Sequence, residues 1–268
     1  MIIPETPLPT WCAYALNRSK LALSDVVMAR DCYDDCIASL DYQLGRLLEE
    51  LQGQGLLDRT VVIITSDHGE GFGFHGVFGH GGSLYLDEVA VPLAILSPTV
   101  PAERVVADPV SLRDLPATVT DLIGLSAGSP FPGQSLAASW RSSPELSVAA
   151  LLRSTPGQLP SPTTPAFSEL AHETAFKPQS RMSRRGVQMS LVASGRHYVR
   201  DGTGTELLFD LMRDPFETTN LMKSAEGDQM AHPFRKVLLK LLTDHRGSLE
   251  IENAYLNVYR QWLKTISP

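Results

Sequence analysis

The sequence predicts an α/β fold followed by a small antiparallel β part with a closing helix. Three observations carry that prediction. Leucines and isoleucines at spacings of three and four precede an unbroken apolar run, Val61-Val62-Ile63-Ile64 between Thr60 and Thr65; helix, short loop and strand is the rhythm of α/β folds. Beyond a Pro-rich stretch, short apolar runs are separated by the pairs Ser194-Gly195 and Asp201-Gly202, which is hairpin chemistry. With 268 residues, 43% hydrophobic and 20% charged, the chain has the apolar content for a packed core in one large domain, or one domain with a small appendage.

The elements follow in order. Residues 1–20 are Pro-rich and mixed, an irregular entry. From Asp31, Ile37, Leu40, Leu44, Leu47, Leu48 and Leu51 fall on one helix face, and Gly53 and Gly55 end the helix. The run Thr60–Thr65 shows no alternation, which predicts a central strand buried on both faces of a parallel sheet. A short helix is expected at Leu84–Val89 and a second buried strand at Val91–Leu96. Ser111–Ile123 reads as a helix with Pro116 in its interior, and Ser129–Gly133 as punctuation. Residues 141–165 hold Pro144, Pro156, Pro160, Pro162 and Pro165, which predicts a linker or surface excursion. Gln188–Ala193, Arg196–Arg200 and Glu206–Leu211 form a meander. Phe234, Val237, Leu238, Leu241 and Leu242 mark a last amphipathic helix. The expected division is therefore 1–140, 141–165 and 166–268, with no internal repeat.

Charge and cysteine content exclude several classes. Lys plus Arg total 23 and Asp plus Glu 30, a net charge of −7, which argues against a general binder of nucleic acid or anionic membrane. No apolar run approaches the roughly 18 residues of a membrane span. Met1–Thr10 shows neither basic flank nor apolar core of a signal peptide, and the compartment stays open. Cys12, Cys32 and Cys36 are too few for a disulfide framework, and Cys32-x3-Cys36 reads as helix or core residues rather than zinc ligands. Arg181, Arg184 and Arg185 read as a solvated turn rather than an anion site, Trp11, Trp140 and Trp262 as packing residues, and Met182, Met189 and Met212 as fillers.

Chemistry concentrates in Thr65-Ser66-Asp67-His68-Gly69-Glu70, directly after the apolar run. Ligands of open α/β sheets bind beyond the carboxyl ends of strands. Asp67 and His68 would offer one oxygen and one nitrogen to a divalent cation there. From spacing alone, a loop Asp that caps a helix beside an exposed His explains the pair equally well. His75 and His80 follow in a Gly-rich loop, so three of the chain's seven histidines fall between positions 68 and 80. Neutral imidazole ligates metal and imidazolium holds an anion.

These residues resemble a family. Leu56-Leu57-Asp58-Arg59-Thr60, the apolar strand, Ser66-Asp67-His68-Gly69-Glu70, His75-Gly76, Gly79-His80-Gly81, Leu84-Tyr85 and Val91-Pro92-Leu93 look like the second half of a sulfatase of the alkaline-phosphatase superfamily. Ser111–Thr118, Pro132-Gly133-Gln134-Ser135-Leu136, Glu206–Leu211, Asp214-Pro215, Glu217 and Asn220-Leu221 continue the likeness in the same order.

The resemblance implies an alkaline-phosphatase-like sandwich, truncated at its N-terminal half, with Asp67 and His68 as metal ligands. The metal is usually calcium in sulfatases and often manganese or zinc in phosphonate and phosphodiester hydrolases; magnesium is a further candidate. His80 stands thirteen residues after Asp67, where many members carry a lysine that binds the sulfate oxygens, and His75 matches a loop histidine; these two are the candidate catalytic side chains. The family's nucleophile is a formylglycine made in a C/S-x-P-x-R motif, and no cysteine or serine here meets that pattern. The family's paired aspartates at an early strand end are also absent, since Asp34-Asp35 falls within the expected helix. The expectation is a metal-dependent sulfuric ester hydrolase that is incomplete and inactive as this chain alone. Alternatives are a phosphonate or phosphodiester hydrolase or phosphoethanolamine transferase of the superfamily, and a non-catalytic fragment or one piece of a split protein. The implied partners are a sulfate- or phosphate-ester small molecule or glycan, a complementary N-terminal half, and no nucleic acid.

Overall fold

The computed structural model of the protein describes residues 22–98, 100, 105–106, 108–125, 131, 133–141, 165–170 and 186–244. The irregular entry, Cys12, Trp11, Trp262, the Arg181–Arg185 cluster with Met182, and nearly all of the Pro-rich stretch 141–165 lie outside the described residues. Helices and strands mix, and the chain divides into two compact units: Met1–Gly82 with Asp87–Ala102, and Ser83–Leu86 with Glu103–Pro268.

In the first unit, helix α1 spans Leu23–Gly53, beginning well before Asp31. Asp25 explains the earlier start: its carboxylate accepts the Ala22 N–H at 3.0 Å, satisfying a donor at the helix entrance. Gly55, at φ +65°, closes the other end. The leucine face expected from the spacing is only partly covered. No α1 residue is fully buried; Leu44, Leu48 and Leu51 are half-buried, while Ile37, Leu40 and Leu47 are exposed. The neighbouring β hairpin and the 3-10 turn Leu57–Arg59 are too short to cover 31 helical residues. Cys32 and Cys36 are free and exposed on α1, not core residues.

Strand β1 (Val62–Thr65) pairs antiparallel with a later strand, Leu93–Leu96, in register Val62↔Leu96 to Thr65↔Leu93. The expected parallel, doubly buried strand is thus corrected. Val62, Ile63 and Ile64 are half-buried, because among the described residues β1 pairs on one edge only, in a two-stranded ribbon that covers neither face fully. An apolar run indicates affinity for a core but not the direction of its neighbour. The later strand half-buries alternate residues, Leu93 and Ile95, and exposes Ala94 and Leu96. Between the two, β2 (Gly71–Phe72) and β3 (Phe78–Gly79) form a hairpin. Tyr33 of α1 meets Phe72 edge to face at 5.3 Å. The helix expected at Leu84–Val89 is a single turn, α2 (Leu86–Val89), and the Leu93–Leu96 strand is β4.

The second unit opens with a 3-10 turn at Leu112–Asp114 and helix α3 (Leu115–Leu122). Pro116 sits in the first turn, not the interior, where its missing N–H costs nothing. The segment Gly133–Leu136 docks on α3. Gln134 N–H donates to Asp114 at 3.0 Å, Leu136 N–H to Thr118 at 2.9 Å, and the Ser135 hydroxyl to Asp121 at 2.6 Å. Gly133, at φ +104°, lies so close to the Arg113 carbonyl that a Cβ would stand 2.7 Å from it. Helix α4 (Ala137–Arg141) follows and buries Trp140.

The meander is present, with one strand more than expected. β5 (Ala166–Leu170), β6 (Gln188–Ala193), β7 (Arg196–Asp201) and β8 (Glu206–Asp210) run antiparallel in chain order. Ser194 and Gly195, both at positive φ, make the β6–β7 turn. Asp201 closes β7, and its carboxylate accepts the N–H groups of Thr203 and Thr205 at 3.0 and 2.9 Å. Leu191, Ala193, Tyr198 and Leu208 pack against Ala231, Phe234 and Leu238 of the last helix, α5 (Ala225–Asp244). That helix begins nine residues before Phe234, capped by the Ser224 hydroxyl on Gly227 N–H at 3.0 Å, and tolerates Pro233 inside it. Met189 fills the edge of this core, whereas Met212 is exposed. Among the described residues no helix is long and apolar enough to cross a membrane.

A charged network ties β7, β8 and α5. Arg235 donates to Glu206 at 2.5–3.2 Å and to Asp228 at 2.7 Å, and the Tyr198 hydroxyl donates to Glu206 at 2.5 Å. Burial pushes the Glu206 carboxyl up. The hydrogen bonds of Arg235 and Tyr198 and the nearby guanidinium charges outweigh it, holding the group below the ordinary glutamate range. A carboxyl lowered by folding contributes stability that is complete above its unfolded pKa, about 4.3, and is lost as pH falls through the folded value. Glu206→Gln should therefore lower stability at neutral pH by about 1–3 kcal/mol and flatten the acid limb of urea midpoints measured from pH 7 to 3. Leu238, 1% exposed, contributes by burial: Leu238→Ala should cost about 2–5 kcal/mol in the same titration. Met212→Ala should change it by less than about 0.5 kcal/mol.

Candidate functional site

β1 ends at Thr65 and the chain turns at once. The Ser66 hydroxyl donates to the His68 carbonyl at 2.8 Å, and His68 N–H donates to the Asp67 carboxylate at 3.0 Å. Gly69 N–H then donates to the Glu88 carbonyl at 2.8 Å. A Cβ at Gly69 would fall 2.1 Å from the Asp87 carbonyl oxygen, so no other residue fits that crossing. The far end of the loop is tied to the same residue, where Gly82 N–H donates to the buried Glu88 carboxylate at 3.0 Å. Between these ties the hairpin pairs Gly71 with Gly79, which sets Glu70 opposite His80.

The predicted residues divide. His68 Nε2 lies 3.7 Å from Asp67 Oδ2, and the Asp67 side chain is 86% exposed. Hydrogen bonds from its own backbone and from that of His68, followed by the His68 imidazole and the Ser66 hydroxyl, hold the Asp67 carboxyl below the ordinary aspartate range. His68 and His80 stack, with ring centroids 3.9 Å apart at 26°. His80 Nδ1 is 3.0 Å from Glu70 Oε2. His75 sits apart, at the exposed tip of the hairpin, with φ +55° and its ring 6.3 Å from that of Phe74. Asp34 and Asp35 are exposed in the middle of α1.

Ligand atoms of His68, Glu70 and His80 all lie within 4.8 Å of one another. Glu70 was given no role by sequence reasoning. The signal was present in Gly71-Phe72 and Phe78-Gly79, which pair as a hairpin and bring the residues before and after them together. The His68 ring is anchored by its Nδ1 on the Gly69 carbonyl at 2.8 Å, with Nε2 on the side of Asp67. The arrangement offers two imidazoles and two carboxylates to a cation, and one exposed imidazole donor to an anion. Gly69→Ala, by forcing the Asp87 backbone in α2 away, should destabilise the chain by about 1–3 kcal/mol or more in urea titration. Gly76→Ala, with open space at its Cβ, pays only for its positive φ of 72° and should lose less.

Residues 11–125 match the sulfatase family model. The chain is similar to arylsulfatase K of Bos taurus, 34% identical over 269 residues, which cover 97% of this chain and 45% of that protein. It therefore spans less than half the length of this relative. Among solved structures it is similar to the phosphonate monoester hydrolase of Agrobacterium radiobacter, with a TM-score of 0.65, 28% identity, and coverage of 82% of this chain and 42% of the other. The fold also matches a protein solved in complex with its substrate D-glucosamine-2-N,6-O-disulfate, at a TM-score of 0.58 and 22% identity, covering 78% and 38%. With the strand, the Asp-His loop and the C-terminal meander in the family's order, the chain is a sulfatase-family protein of the alkaline-phosphatase superfamily.

Proposed function

We propose that this chain carries the metal-binding and anion-facing loop of a sulfuric ester hydrolase, within an alkaline-phosphatase-like sandwich, and that it is inactive alone. One observation carries the reading: Asp67, His68 and His80 come together just beyond the carboxyl end of β1, with Asp67 Oδ2 and His68 Nε2 3.7 Å apart. That separation suits two ligands of one divalent ion with bonds of about 2.0–2.5 Å. By family resemblance the ion is calcium, with manganese, magnesium and zinc as the other candidates. When bound, such an ion supplies Lewis-acid polarisation of an ester oxygen. Asp67 and His68 would hold it. His80, braced by Glu70, would donate to an oxygen of the anionic group, and His75 would meet the substrate from the hairpin tip. The substrate class is a sulfate ester on a small molecule or glycan, consistent with the substrate named for the disulfated glucosamine complex.

The 28% identity to a phosphonate monoester hydrolase supports a second reading, a phosphonate or phosphodiester ester in the same site. The lack of any C/S-x-P-x-R motif supports a third, a non-catalytic chain or one piece of a split protein.

Purified chain assayed on an aryl sulfate and on a phosphodiester, with calcium, magnesium or manganese added, should show no turnover. Loss of a covalent nucleophile costs about six powers of ten in rate where it has been removed from a complete site. Addition of an N-terminal sulfatase half carrying the nucleophile motif should restore turnover of the aryl sulfate. Multiple turnovers by the chain alone, abolished in Asp67→Ala, would overturn the inactivity and point to the phosphohydrolase reading.

A further inference from the structure

We propose that the cavity between α1 and the β2–β3 hairpin receives the aromatic end of an ester whose anionic end His80 meets. The inference rests on the proposed function and narrows its substrate to the ester of an uncharged aromatic alcohol. The cavity measures about 240 Å³. On α1, Val26, Ala29 and Tyr33 recur at spacings of three and four, so their side chains share one face. They wall the cavity together with the free thiols of Cys32 and Cys36. Phe72 and Phe78, a cross-strand pair of the hairpin, line it from the other side, and the Tyr33 ring meets that of Phe72 edge to face at 5.3 Å.

Glu70 and Gly79 join the cavity to the site. Both line it, and Gly79 is followed directly by His80. His80 Nδ1 is 3.0 Å from Glu70 Oε2, so a ring in the cavity and an ester oxygen at His80 would meet across the Glu70 side chain. The lining selects the ligand. Among its side chains only Glu70 and Tyr33 carry oxygen; Glu70 is engaged by His80, and thiols are weak hydrogen-bond partners. A sugar would leave hydroxyls unpaired against these rings, which is costly. An aromatic ring gains buried apolar area and edge-to-face contacts. A cavity of about 150 Å³ with apolar walls holds benzene; this one has room for two fused rings.

The test is equilibrium binding of naphthyl sulfate and of methyl sulfate to the full chain, with alkylation rates of Cys32 and Cys36 read by mass spectrometry. Naphthyl sulfate should bind at least about tenfold more tightly than methyl sulfate and slow alkylation of both thiols at least about fivefold, whereas methyl sulfate should not slow it. Ala29→Trp, which fills the cavity from α1, should remove the naphthyl preference and leave methyl sulfate binding and circular dichroism unchanged. Equal binding of the two sulfates by the native chain, or a naphthyl preference that survives Ala29→Trp, would overturn the proposal. Stronger thiol protection by benzyltrimethylammonium than by naphthyl sulfate would overturn it in favour of a cation site. Thiols unreactive in the ligand-free chain, or thiols whose alkylation slows with protein concentration, would overturn it in favour of a covering segment of the chain itself or a second copy. Each of these outcomes leaves the proposed function standing where His80→Ala still weakens methyl sulfate binding. Thiol protection by naphthol with no binding of either sulfate would overturn the anion-facing role of His80 and this inference together.

Discussion

Glu88 holds the site together. Its carbonyl takes Gly69 N–H at 2.8 Å and its buried carboxylate takes Gly82 N–H at 3.0 Å, so one residue ties both ends of the loop that carries His68, Glu70, His75 and His80. A carboxylate that is 3% exposed is stable only with donors close by, and a backbone N–H buried without an acceptor is costly. Each group therefore requires the other. Gly69 is the steric counterpart, because the crossing that brings its N–H onto Glu88 leaves no room for a side chain. With both ends fixed, the hairpin register decides the rest, and Glu70, His80 and His68 converge without belonging to one regular element.

The second unit uses buried polar groups in another way. Glu217, at φ +55° and 3% exposed, accepts from the Leu86 N–H at 2.7 Å and pairs with the buried His197 ring. Asp214 accepts from the Thr218 hydroxyl and the Thr219 N–H at 2.9 and 2.7 Å, and Asn220 from Leu208 N–H at 3.1 Å and Met222 N–H at 3.0 Å. The run Asp214-Pro215-Phe216-Glu217-Thr218-Thr219-Asn220 is thus a folded connector that stops β8 and launches the turn into α5. Its acids and amide are spent on four backbone N–H groups, the Thr218 hydroxyl and the His197 ring, so this family-like motif near the C-terminal end braces the fold.

The local elements were legible from the sequence because local rules govern them. The Ser194-Gly195 turn needs positive φ at both positions, Gly55 closes a helix, and Phe234, Leu238 and their neighbours repeat at helical spacing; each is visible in a window of a few residues. The direction of the β1 partnership was not legible, since Val61–Ile64 shows only apolarity and the partner lies some thirty residues on. The exposure of Ile37 and Leu40 was not legible either, because periodicity defines a face but not what covers it. β5 was passed over because Ala166–Leu170 is short and its partner, β6, lies twenty residues away. In the site, Asp67, His68 and His80 stood out by residue type. Glu70 did not, because its meaning depends on strand register rather than spacing along the chain.

Solvent sets the limit on what these residues do alone. Asp67 is 86% exposed and the His68 and His80 rings are 42% and 50% exposed, so charges at this centre act through water. The same two charges attract about four times more strongly at an effective dielectric of 20 than in bulk water. Catalysis of acyl- or sulfuryl-type transfer draws most of its rate from preorganised charge in a water-excluded pocket. A cation held at this loop would keep its affinity, which depends on direct bonds to nitrogen and oxygen. Its effect on a bound ester would be screened. Binding and turnover are therefore separable here: the candidate ligands stand on a loop tied by Glu88, whereas rate enhancement needs walls that the described residues do not place around them.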